Sequence, residues 1–173
     1  MIFATVGTQL PFDRMLYALD DWAGSNPGVP VFAQIGTSTG TFRNMETVAN
    51  LGQSAFHQRF QAAKLIVAHA GMGTILSAAE LGKPIILMPR RFKFGEHRND
   101  HQQDTATEMA RLSNVTIADE ADALHESLDW YARSNFDVAP AMDCAESATL
   151  QPLLDVIRAF VWDDQASDTG RAA

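Results

Sequence analysis

The sequence predicts an α/β domain built on a Rossmann-like, doubly wound parallel sheet, and three observations carry that prediction. Short apolar, β-branched runs recur along the chain, and they alternate with segments whose apolar residues fall at helical spacing. The runs are continuously apolar, without the polar alternation of a half-exposed sheet, as expected of strands covered by helices on both faces.

Five runs read as strands, at residues 2–6, 31–35, 65–68, 85–88 and 115–117, with a weaker sixth at 46–49. After the first, Phe12, Met15, Leu16, Leu19 and Trp22 share one helical face, and Pro11 and Asp13 suit a first turn. Phe56 and Phe60 mark a second helix and residues 74–81 a third. Ala106, Met109, Ala110 and Leu112 mark a fourth, and Leu124, Leu128 and Tyr131 a fifth. Leu150, Leu153, Leu154, Ile157, Phe160 and Val161 give a last amphipathic helix, which either packs on its own sheet or docks a partner. A single domain at residues 1–162 with a disordered tail at 163–173 accounts for the pattern.

Composition narrows the function classes. With 173 residues, 46% hydrophobic and 20% charged, the chain is long enough for one packed core and is neither collagen-like nor coiled-coil. Its single cysteine, Cys144, cannot support a disulfide framework or a Cys-rich zinc site and fits a reducing, cytoplasmic setting. The start of the chain lacks a basic n-region, and its apolar runs are far shorter than the ~20 residues of a membrane span.

The formal charge of −8 is unevenly spread, close to +1 over residues 1–112 and −9 over 113–173. Within the near-neutral part, Arg90, Arg91, Lys93 and Arg98 against Glu96 make a small basic island. Such an island on an acidic chain suits a compact anion, whereas nucleic acid calls for a wide basic surface. A solvated loop gives the same composition.

In doubly wound sheets ligands sit beyond the carboxyl ends of the strands. Gly7-Thr8, Gly36-Thr37 and Gly73-Thr74 follow three of those ends, although tight strand-to-helix turns favour the same residues without any ligand. The strongest local signal is His69-Ala70-Gly71-Met72-Gly73-Thr74, which runs from a buried strand into an apolar helix. The N-terminus of that helix offers a diphosphate the N–H groups of Gly71, Gly73 and Thr74, with His69 as a donor at the edge. A half-buried histidine bonded to backbone is the structural alternative for His69. The loop is neither a Walker loop nor a dinucleotide fingerprint, since Leu76 stands where the third glycine of Gly-x-Gly-x-x-Gly belongs.

These residues, with Gly82-Lys83-Pro84, Met88-Pro89-Arg90-Arg91 and the stretch Gly95-Glu96-His97-Arg98-Asn99-Asp100-His101-Gln102, resemble the C-terminal, donor-binding domain of family 28 glycosyltransferases of the GT-B fold. Thr5-Val6-Gly7-Thr8 followed by Phe12-Asp13-Arg14 is similar to that domain's opening, and the resemblance covers about residues 1–135. It is closest in kind to single-domain members, the catalytic subunits of two-subunit enzymes. Those include the eukaryotic enzyme that adds the second N-acetylglucosamine to dolichol-linked oligosaccharide, and bacterial exopolysaccharide glycosyltransferases, glucuronosyltransferases among them.

The resemblance implies a UDP-sugar donor whose diphosphate is met by His69, Gly73 and Thr74, with Gly7, Thr8 and Gly71 around it. The family's ribose-binding glutamate falls on Ser77 in this sequence, and the nearest carboxylate, Glu80, lies one turn further on. Gln102, with His101 beside it, matches the glutamine that reads sugar hydroxyls. Arg90, Arg91 and Arg98 have the charge to meet a diphosphate or a uronate. His97 and His101 stand four residues apart as a metal pair would, with no third ligand close in sequence; no metal and no cofactor are expected.

The resemblance further implies inverting transfer in which helix dipole and hydrogen bonds stabilise the leaving UDP. The base that deprotonates the acceptor usually belongs to a separate acceptor domain, so no base is assigned here. The expected partners are therefore a membrane-anchored acceptor-binding subunit and a lipid-linked acceptor, with the chain peripheral at the inner membrane through that subunit and a homo-oligomer when alone. A non-catalytic module that binds UDP or a UDP-sugar is the other reading. Donor sugar, acceptor and linkage are not encoded in any residue pattern.

Overall fold

The computed structural model describes residues 1–136. The predicted helix at 150–161, the domain end at 162, the tail at 163–173 and Cys144 all lie outside the described residues.

Six parallel strands form one sheet: β1 (Ile2–Thr5), β2 (Val31–Gln34), β3 (Glu46–Val48), β4 (Leu65–His69), β5 (Ile85–Met88) and β6 (Val115–Ile117). Their order is β3-β2-β1-β4-β5-β6, with every neighbouring pair parallel. Among the described residues, α1 (Asp13–Ser25), α2 (Gln53–Ala62), α3 (Met72–Glu80) and α4 (His101–Met109) connect strands, β2 runs to β3 without a helix, and α5 (Ala121–Arg133) follows β6. The α/β, Rossmann-like class read from the sequence is the one observed, and the weak strand at 46–49 is a true edge strand.

The continuous apolar runs are explained by the two cores they serve. Ile2, Ala4, Leu65, Val67, Ile86 and Met88 pack with α1 and α5 through Met15, Leu16, Leu19, Trp22, Leu124 and Leu128. The alternate residues Phe3, Ile66, Ala68, Ile85 and Leu87 join Phe60, Ile75 and Ala78 on the other face. Successive side chains point to opposite faces, so a strand buried on both must be apolar at every position. Phe3 centres an aromatic group under α2, with ring centroids 5.3 Å from Phe56 and 6.1 Å from Phe60. Trp22 Nε1 donates to Asp129 Oδ1 at 2.7 Å and ties α1 to α5.

Two helix boundaries differ from the sequence reading. The third helix starts two residues earlier than predicted, because Gly71 in an extended conformation caps it and Met72 begins it. The fourth runs His101–Met109, so Ala110 and Leu112 fall beyond its end. The stretch 89–100 between β5 and α4 carries a short 3-10 turn at Phe92–Phe94. Its Glu96 carboxylate is held bidentately by Arg14 at 2.8 and 2.9 Å and accepts the Arg91 amide at 2.9 Å.

Candidate functional site

The strand order reverses direction of growth between β1 and β4, and a crevice opens outside the carboxyl ends of strands at such a switch point. The crevice here has a volume of about 300 Å³ and is bounded by Val6–Leu10 after β1, His69, Gly71, Gly73 and Thr74 after β4, and Arg90, His97 and Gln102 from beyond β5. That volume is at the small end of the ~300–1,000 Å³ range of small-molecule sites.

His69 is the last residue of β4 and half-buried. Its ring lies between two glycines: a Cβ on Gly7 would sit 2.8 Å from His69 Cε1, and one on Gly71 would collide with Nε2. Gly7 also has φ +76°, a conformation that L side chains seldom adopt. The glycines flanking this loop therefore make room for an imidazole, a role the sequence did not reveal. Burial, followed by the Arg90 cation, pushes the His69 pKa down to about 4, a backbone interaction with Thr5 opposing them and His97 adding to them. The ring is neutral at pH 7. Its Nδ1 is buried and makes no hydrogen bond among the described residues.

Of the three amides expected to cradle an anion, two are already engaged. Gly71 N–H donates to the His69 carbonyl at 2.7 Å and Thr74 N–H to the Gly71 carbonyl at 3.1 Å. The amides of Met72 and Gly73, which begin α3, make no hydrogen bond among the described residues and carry the positive end of the helix dipole. The donors at the crevice wall are thus the Gly73 N–H and the Thr74 hydroxyl, with the Met72 N–H next to them in the chain but outside the lining.

Gln102, in the first turn of α4, accepts the Arg90 amide through Oε1 at 3.1 Å. Its carboxamide nitrogen has no partner among the described residues, so it is a donor available at the crevice. His97 lines the same crevice with Nδ1 held by the backbone and side-chain oxygens of Asn99 at 3.2 and 3.1 Å, which leaves Nε2 unbonded. His101, four residues from His97, is exposed, with Nδ1 3.9 Å from Asp104 Oδ2. Among the described residues no three side chains are placed to hold a metal ion. Gln9 and Leu10 also line the crevice without any sequence signal.

Several expected contacts are not brought there. Ser77 donates to the Gly73 carbonyl at 3.0 Å and Glu80 is exposed; both lie further along α3 and neither is among the residues lining the crevice. The basic island disperses, because its members point to different surroundings. Arg91 pairs with Glu120 and Asp119 at 3.0 and 3.4 Å, beside a different cleft. Arg98 is exposed and outside the crevice. Arg90 does line it, yet it is only 3% exposed, and both its Nη groups donate to backbone carbonyls. Gly36-Thr37, the third Gly-Thr pair, does not reach the crevice.

Solved structures with the same fold include a kitacinnamycin glycotransferase, at 20% identity and a TM-score of 0.57 over 91% of this chain and 39% of that one. MurG of Acinetobacter baumannii matches at 19% identity and a TM-score of 0.54, over 78% and 41%. ALG13 matches at 17% identity and a TM-score of 0.58, over 88% and 94%. The chain spans about two fifths of the first of these structures and nearly all of the last. No curated protein matches in sequence. At such identities the structures speak for the fold alone, but the family model covers residues 1–155: the chain belongs to the family of the glycosyltransferase family 28 C-terminal domain.

Proposed function

We propose that this chain is the donor-binding, catalytic subunit of a two-subunit, inverting and metal-independent glycosyltransferase that uses a UDP-sugar. The observation that carries the reading is the convergence, at the switch-point crevice, of the unbonded Gly73 amide at the start of α3 with the Thr74 hydroxyl and a neutral His69. No carboxylate is among the residues lining it. An anion placed there gains hydrogen bonds and helix-dipole stabilisation without meeting a like charge. Solved structures of the same fold include a UDP-GlcNAc 2-epimerase bound to UDP-GlcNAc and an anthocyanidin glucosyltransferase in complex with UDP, which supports a uridine diphosphate as the ligand class.

On this reading the diphosphate lies against Gly73 and Thr74, and charge that develops on the departing UDP is met by donors already in position. Neutral His69 can donate from one ring nitrogen only, and as a residue lining the crevice it offers that N–H to the diphosphate. The Gln102 carboxamide and His97 Nε2 stand at the same crevice to meet sugar hydroxyls. The base for the acceptor comes from an acceptor-binding, membrane-anchored subunit carrying a lipid-linked acceptor in exopolysaccharide synthesis, and the resemblance to single-domain family members supports that assignment.

Calorimetry with UDP, ADP and NAD tests the donor class. UDP is expected to bind best, and His69→Ala to weaken it by about tenfold, the equivalent of one lost hydrogen bond. Binding of NAD with no response to UDP overturns the reading. Sugar transfer from a UDP-sugar when the chain is co-expressed with an acceptor-binding subunit separates a catalytic subunit from a module that only binds.

A further inference from the structure

The loop from Val6 to Pro11 supplies one wall of the crevice, yet almost nothing within it holds its shape. Val6 N–H donates to the Gln34 carbonyl at 3.2 Å and Gly7 N–H to Thr5 Oγ1 at 3.2 Å. The amides of Thr8, Gln9 and Leu10 make no hydrogen bond among the described residues. What gathers the loop is a side chain from across the sheet. Arg90 follows β5, and its Nη1 donates to the carbonyls of Pro11 at 2.6 Å and Glu96 at 3.2 Å. Its Nη2 donates to those of Val6 at 2.8 Å and Leu10 at 2.7 Å. The guanidinium carbon stands 4.7 Å from the centre of the buried Phe12 ring. Burial lowers the Arg90 pKa to about 10, with Glu96 opposing, so the side chain stays charged at neutral pH.

Three of the four carbonyls belong to the one loop, and they are brought together at both of its ends, around Gly7, Thr8 and Gln9. A planar fork with several fixed N–H directions can address four carbonyls at once; an ammonium has three donors on a single atom and cannot reproduce that spread. Buried carbonyls left without a donor are costly, so loss of the fork releases the loop rather than leaving it in place unpaired.

We propose that Arg90 is a positioning residue: by gathering the Val6, Leu10 and Pro11 carbonyls it shapes the wall that Gly7, Thr8 and Gln9 present to the donor diphosphate, without itself contacting the ligand. The statement about the ligand rests on the UDP-sugar reading above; the statement about the loop does not. Arg90 also faces His69, beside which His97 is the other titratable side chain, and so helps to keep that ring neutral.

The test compares wild type, Arg90→Lys and Leu128→Ala. Leu128 is fully buried in the α5 core and serves as a destabilised control that has no part in the crevice. Backbone 15N order parameters are measured for residues 7–10, and UDP affinity by calorimetry. In Arg90→Lys the order parameters are expected to fall from the rigid range near 0.85 towards about 0.6 or below. UDP affinity is expected to fall by about tenfold or more, since the loss of well-placed binding groups is felt even at a distance from the ligand. Leu128→Ala should change neither. Unchanged order parameters in Arg90→Lys overturn the proposal, as does an equal loss of UDP affinity in Leu128→Ala. If wild type binds no UDP, the donor reading fails, and the order parameters alone still decide whether Arg90 holds the loop.

Discussion

A buried histidine that refuses a proton weakens the fold as the pH falls, and His69 sets the size of that effect here. Burial, Arg90 and His97 push its pKa down to about 4 in the folded chain, against about 6.5 for an unperturbed histidine. Between those values the unfolded chain binds a proton that the folded chain does not. Stability therefore rises with pH across the window: the contribution is fully present above about 6.5 and is lost as the pH falls towards 4. Linkage gives a loss of about 2 kcal/mol between pH 7 and pH 5. Urea denaturation followed by tryptophan fluorescence at pH 7, 6 and 5, on wild type and His69→Gln, measures it. The other four of the five histidines, and every carboxylate, are common to both proteins and cancel in the difference. Wild type should lose about 2 kcal/mol more than the variant over that range. Parallel pH profiles would refute the claim that the folded chain holds His69 neutral.

Gly71→Ala should destabilise the protein by about 1–3 kcal/mol through overpacking against the imidazole, and far less in a His69→Ala background. A double-mutant cycle by chemical denaturation checks this; equal costs in both backgrounds would show that the ring does not occupy the space between the glycines. Trp22→Phe removes the hydrogen bond to Asp129 that ties α1 to α5 and should cost about 1 kcal/mol, measured as a lower urea midpoint. The same substitution in an Asp129→Ala background should cost clearly less.

Much of the fold was legible in the sequence because two-sided burial leaves a linear trace. Residues 85–88 and 115–117 match β5 and β6 end for end, since every position of such strands must be apolar or half-buried and the run stops where the sheet does. The start of α3 was read two residues late because Gly73 is a weak helix former by type; what starts the helix is the extended Gly71. The His69–Thr74 loop stood out in the sequence, and the structure brings His69, Gly71, Gly73 and Thr74 to one crevice with Gly7, Thr8 and Gln102.

The basic island shows where such reading ends. Charge counted along the chain suggested that Arg90, Arg91 and Arg98 act together, but successive residues point to different surroundings: one inward to carbonyls, one to the acids before α5, one to solvent. Likewise the family resemblance pointed to Ser77 and Glu80, whereas whether a side chain borders the crevice depends on how far along α3 it stands, and neither is among its lining residues.

Local composition and periodicity were sufficient to determine the strands, the helices, their alternation and therefore the edge of the sheet at which a ligand can sit, because hydrophobic patterning acts over a few residues. Only the tertiary structure decided which donors remain available at that edge. Whether an amide or a guanidinium is unbonded depends on every carbonyl that the fold brings near it, and the carbonyls that engage Arg90 come from as far as 84 residues away in the chain.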